Sequence, residues 1–266
     1  MIKKFNNLPI SLKTLLFVII IIFIKMYVFQ VVKFNGVQIN SLIDISDIGI
    51  IFSGAFFVVG LMLASTMTDF KESEKIPGEI ACNLEAIEDW ILLSFRQSKD
   101  KTANIDKNKI RLEFISITES IVSWLNSNDK DSKIIFTNIK RLNEIAFYFS
   151  EFNVEKDVIK GIQENTIAIR KQLTRAYTIS RNDLLAPSKT LLKAILSIIF
   201  ILVLLAKFKS ITADYFVSFT ISSLFMYLYF LINGLDNPFN LSGDTEVDLI
   251  PIERYVIRLK EGFLVS

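Results

Sequence analysis

Four stretches of this chain are long and apolar enough to cross a bilayer, which takes roughly 17–25 residues. They run about Leu15 to Val32, Ile48 to Thr66, Leu191 to Phe208 and Tyr215 to Leu235. The composition agrees, with 51% of 266 residues hydrophobic and a mean hydropathy of +0.42. Charged residues still make up 22%, too many for a chain lying wholly in lipid, so it divides into greasy and wet parts. Lys3, Lys4 and Lys13 precede the first stretch, as in a signal peptide. However, its apolar core exceeds the roughly 7–15 residues of a secretory segment, and no small-x-small cleavage site follows. It reads as a retained helix.

Lysine and arginine placement sets the expected orientation. The amino-terminal flank is basic, whereas the loop from Lys33 to Asp47 carries only Lys33. Residues 69–189 hold most of the chain's 30 Lys+Arg. Both termini and this middle segment are therefore expected in the cytoplasm of a multi-pass inner-membrane protein. Within it, Ile80, Leu84, Ile87, Ile91 and Phe95 recur at helical spacing. So do Ile110, Phe114, Ile117, Ile121 and Leu125, then Ile135, Ile139, Leu142, Ile145 and Phe149, then Val158, Ile162, Ile169, Leu173 and Tyr177. Such steps of three and four put apolar side chains on one helix face. Trp90 and Trp124 read as packing residues. The fold class is all-α: a polytopic membrane protein with a helical cytosolic bundle between helices 2 and 3. Its divisions are 1–68 (first hairpin), 69–189 (bundle), 190–236 (second hairpin) and 237–266 (acidic turn and tail).

Several function classes drop out. With no histidine, His-based triads and His-ligated metals are absent. The lone Cys82 cannot form an intramolecular disulfide. A net charge of +2 supplies no field for capturing nucleic acid. The phosphate-loop, dinucleotide and nucleophile-elbow patterns are all missing. Paired acids such as Glu72/Glu74 and Glu88/Asp89 read as solvated helix faces. The chain is not expected to be an enzyme.

Four features are more specific. In the second membrane helix Gly49, Ser53, Phe56 and Gly60 align on one face, while Phe57 points elsewhere. Small residues there permit close helix contact; the sharper reading is a pore-lining face with an aromatic constriction. The junction TDFKESEKIPGEI at 68–80 reads as a greasy helix meeting a charged one, with Glu72, Glu74 and Glu79 pairing locally. After the fourth helix, Asp236, Asp244, Glu246 and Asp248 offer the hard oxygens that Ca²⁺ takes, or form a plain acidic turn. Lys25 is an intramembrane charge, a functional candidate by default, expected to snorkel or to face a wet cavity.

The order of hairpin, helical insert and hairpin, with the segments DFKESEKIPGEI and LDNPFNLSGD, resembles the bestrophin-like family of bacterial membrane proteins. It is similar, more distantly, to the bestrophins proper, which are homopentameric anion channels. That resemblance implies a pentamer of this chain with the second helix around the pore. Phe56 falls at the aromatic neck and Pro238–Phe239 at the Pro-Phe pair before a calcium-binding acidic segment. Asp244, Glu246 and Asp248 fall among its acids, although the run is sparser here. The implied function is an oligomeric anion channel whose partners are the lipid bilayer, other copies of itself and the permeant ion. Calcium is the one cofactor implied. The alternative is a membrane-anchored sensory or interaction module that conducts nothing.

Overall fold

In a computed structural model, the structure describes residues 8–29, 33–34, 37–38, 43–97, 105–127, 130–152, 154–181, 186–207, 210–236, 238–239 and 247–265. Among them are eight α-helices: α1 Ile10–Ile24, α2 Ile45–Gln97, α3 Lys107–Leu125, α4 Ser132–Glu151, α5 Lys156–Arg181, α6 Ala186–Leu205, α7 Ile211–Leu235 and α8 Ile250–Val265. A π-helical turn, Lys25–Phe29, continues α1. Four two-residue segments make two minimal ladders. β1 (Lys33–Phe34) pairs antiparallel with β2 (Val37–Gln38), and β3 (Ile43–Asp44) pairs parallel with β4 (Ala206–Lys207). The fold is all-helical, as the hydrophobic periodicity indicates.

The chain forms two compact units. One comprises Met1–Phe70, Asp183–Pro238 and Ser242–Glu246; the other comprises Lys71–Asn182, Phe239–Leu241 and Val247–Ser266. The first unit contains the four apolar spans, each long and apolar enough to cross a membrane. All four helices begin earlier than hydropathy alone suggests, and the added first turns carry polar residues. Pro9, at φ −53°, sets the start of α1 at Ile10. The Ser210 side chain accepts a hydrogen bond from the Ala213 N–H, which starts α7 at Ile211. α6 begins at Ala186, next to Pro187, a residue favoured in a first helical turn. Val59 of α2 packs into a core with Leu192, Leu196, Ile199 and Val203 of α6 and Phe225 and Ile232 of α7.

The second unit buries the expected stripes. Ile80, Leu84, Ile87 and Ile91 of α2, Phe114, Ile117 and Ile121 of α3, Leu142 and Phe149 of α4, and Ile162 and Ile169 of α5 share one core. Burying each such side chain contributes about 1.5–3 kcal/mol. The polar runs between stripes begin helices. The Asp106 carboxylate accepts from the Lys109 N–H, and that of Asp131 from the Lys133 N–H.

Three expectations change. The segment 68–80 is not a junction between two helices, since α2 is one 53-residue helix with Pro77 inside it. Two of its acids reach another helix rather than a local lysine: Glu72 binds Arg175 and Glu79 binds Gln172, both from α5. The tail is not merely a tail. Asp248 accepts the Ile250 N–H and so starts α8, whose Ile252, Tyr255 and Leu259 enter the second unit's core.

Candidate functional site

The first unit holds both of the sequence's membrane-embedded candidates. Lys25 stands where α1 gives way to the π-helical turn, a form of backbone found frequently at functional sites. Its side chain is fully buried. The ammonium donates to the Asp214 carboxylate at 2.5 Å, the Ser218 hydroxyl at 2.8 Å, the Val203 carbonyl at 2.8 Å and the Ala206 carbonyl at 3.3 Å. Its charge is enclosed by protein groups of its own chain. A charge in hydrocarbon needs a counter-charge and hydrogen-bond acceptors, and here one helix end supplies several. The last carbonyls of α6 lack intrahelical partners and carry the negative end of its dipole. Asp214 adds a full charge from the first turn of α7.

Sequence reasoning missed Asp214. The hydropathy boundary at Tyr215 left it one residue outside the fourth span, and the Ser210 cap brings it inside. No local sequence signal links it to Lys25, 189 residues away in the chain. Ser218 and Ser222, one and two helical turns further along α7, are also fully buried. The Ser222 hydroxyl has no hydrogen-bond partner among the described residues.

The second candidate is the open face of α2. Gly49 and Ser53 are exposed, Gly60 is half-buried and Phe56 is 49% exposed. A Cβ added at Gly49, Gly54 or Gly60 would meet nothing within 4 Å. The Ser53 hydroxyl donates back to the Gly49 carbonyl at 3.0 Å. One edge of Phe56 is held by Phe225 of α7, with centroids 6.4 Å apart at 86°. Exposure alone distinguishes little, because Phe57 on another side is 65% exposed. Small residues at Gly49, Ser53 and Gly60 let another backbone approach closely, so this face suits a protein neighbour. The apolar window of α2 is 11% buried within the chain, against 17%, 22% and 33% for the other three. This span leaves the most of itself for contacts outside its own chain.

The acidic residues do not converge among the described positions. Asp236 pairs with Lys189 at 2.9 Å, and Asp248 caps α8. Asp244 and Glu246 lie outside the described residues. No group of three acidic, cysteine or histidine side chains able to hold a metal occurs among the described residues.

Four apolar spans and a buried intramembrane ion pair define a multi-pass helical membrane protein. No family model matches the sequence, and no curated protein matches it. Solved structures do. A point variant of a bacterial bestrophin homologue from Klebsiella pneumoniae superposes with a TM-score of 0.69 at 12% identity, covering 96% of this chain and 96% of that one. A second variant from the same organism gives 0.66 at 13%, covering 94% and 97%. A third structure of that homologue, phased with zinc, gives 0.62 at 14%, covering 95% and 97%. The chain therefore has the fold of the bacterial bestrophin homologues along nearly its whole length.

Proposed function

We propose that this chain is one subunit of an oligomeric, bestrophin-like ion channel, with five copies of α2 around an anion-conducting axis. The open, small-residue face of α2 carries this reading. Gly49 and Gly60 leave room beside the backbone, Ser53 is exposed, and Phe56 stands among them half-exposed. A ring from each copy makes a dry constriction that gates by dewetting. One chain of four spans is too small to enclose a long pore, so conduction requires assembly. No catalytic motif competes with this assignment. The lysine and arginine distribution supports a reading with both termini in the cytoplasm, and the protein in this reading lies in the inner membrane.

Truncating Phe56 tests the assignment. Phe56→Ala is expected to raise single-channel conductance in planar bilayers while the oligomer keeps its thermal stability. A ring that only packs between helices would behave otherwise. Its loss would cost roughly 3–5 kcal/mol and leave permeation unchanged.

One observation favours the second reading, a non-conducting interaction module. Phe136 and Phe147 of α4 and Ile167 of α5 expose more than half of their surface, as a docking face would. Absence of current from a well-assembled oligomer would select that reading.

A further inference from the structure

We propose that Lys25 is a positioning residue: its ammonium holds the end of α6, and through the β4–β3 ladder it sets where α2 begins. The path is short and lies within one compact unit. Lys25 donates to Val203 and Ala206, the first in the last turn of α6 and the second the opening residue of β4. β4 is paired residue by residue with β3, Ala206 against Ile43 and Lys207 against Asp44. Asp44 is followed directly by Ile45, the first residue of α2. Side-chain packing reinforces the same link. Ala206, fully buried, forms a small core with Ile48, and Phe52, Leu202, Ala213 and Val217 close around it. Gly49 and Ser53 belong to the same first turns of α2.

An ammonium does this work where an apolar side chain would not. Three N–H donors meet four acceptors on two helices and the β4 segment, so the group fixes α6, β4 and α7 at once. A methionine of similar length fills the space and is cheaper to place in a bilayer, yet it leaves the Val203 and Ala206 carbonyls without the donor. An ion pair retained at that cost specifies geometry rather than adding stability. The chain of contacts is a physical network of the kind that carries coupling between sites.

The proposal rests on α2 lining the pore only for its functional consequence; the positioning itself is measured separately. The test compares Lys25→Met, Asp214→Asn and the double variant with the unaltered protein in lipid nanodiscs. Amide hydrogen exchange and bilayer conductance are read on each. The double variant removes both charges together and so avoids an unpaired charge in the membrane. It is expected to assemble and melt near the unaltered protein. Exchange across residues 43–52 and at 206 should nevertheless rise about tenfold, while residues 71–96 of the same helix stay protected. Single-channel conductance should change in the same variant.

Unchanged exchange at 43–52 in the double variant overturns the positioning role, whatever the currents do. A uniform rise along the whole chain overturns it too, because that is loss of the fold rather than of one anchor. If the unaltered protein carries no current but exchange rises locally as expected, the pore reading fails and the positioning role stands.

Discussion

Gly161 of α5 lies against Trp90 of α2 so closely that an added Cβ would fall 2.3 Å from the indole. Gly161→Ala gains about 1 kcal/mol in helix propensity but forces an overpacking that costs about 1–3 kcal/mol. A lower melting temperature is therefore expected, and Trp90→Phe in the same chain should return part of the loss. Equal melting of Gly161→Ala and the unaltered protein would remove this contact from the explanation. Lys130 is the other residue whose chemistry exceeds its sequence signal. It is buried, and it donates to the Leu125 carbonyl at 3.0 Å and the Ser127 carbonyl at 2.7 Å. Its ammonium lies over the rings of Trp124 and Phe239, 5.3 and 5.6 Å from their centroids. Burial pushes its amine down from 10.5 to about 8. Between those values the unfolded chain binds more protons than the folded one, so stability rises as pH climbs through that window. Melting temperature followed from pH 8 upward should show the rise, and Lys130→Met should flatten it. A rise that persists in Lys130→Met belongs to another group.

Among the elements, α8 shows most clearly what the sequence concealed. Ile252, Tyr255 and Leu259 carry helical spacing, but Pro251 and the acids before it made the segment read as a tail. Asp248 and the α2 face that receives the helix explain why it forms. The Tyr255 hydroxyl donates to Glu88 at 3.1 Å, and Arg258 binds Glu85. Burial holds the Glu88 carboxyl above its ordinary value, and burial with the neighbouring Glu88 holds the Tyr255 phenol up as well. A raised carboxyl means that the folded state binds the extra proton, so this contribution to stability falls as pH rises through the shifted value. Tyr255→Phe leaves Glu88 half-buried without its donor, and a loss of about 1–3 kcal/mol is expected in melts near neutral pH. A loss confined to acid conditions would place the cause elsewhere. The bundle stripes were legible because core helices repeat every three to four residues; Ile80 through Phe95 needed no tertiary information. The unbroken α2 was not legible, because Pro77 marks a helix boundary more often than an interior position. Nor was the Lys25–Asp214 pair, since 189 residues separate its partners and only the fold brings them together.

At the scale of the whole molecule, the likeness to the bacterial bestrophin homologues rests on the path of the chain, at identities of 12 to 14%. The expected topology has its own check. In a Cys82→Ser background, an impermeant thiol reagent added outside should label Asn35→Cys and spare Asn104→Cys. The reverse pattern would invert the orientation. Calcium has a separate check. Asp244→Asn with Asp248→Asn should abolish any calcium-induced rise in melting temperature, and an unaltered protein without such a rise leaves these acids as a turn. The central claim is that copies of this chain assemble a pore lined by α2 that passes anions. The most direct measurement is the zero-current potential of the purified oligomer in a planar bilayer under a KCl gradient. Single-channel currents reversing near the chloride equilibrium potential are the expected result. An intact oligomer that passes no current above the bare bilayer, or one whose currents reverse at the potassium potential, would contradict it.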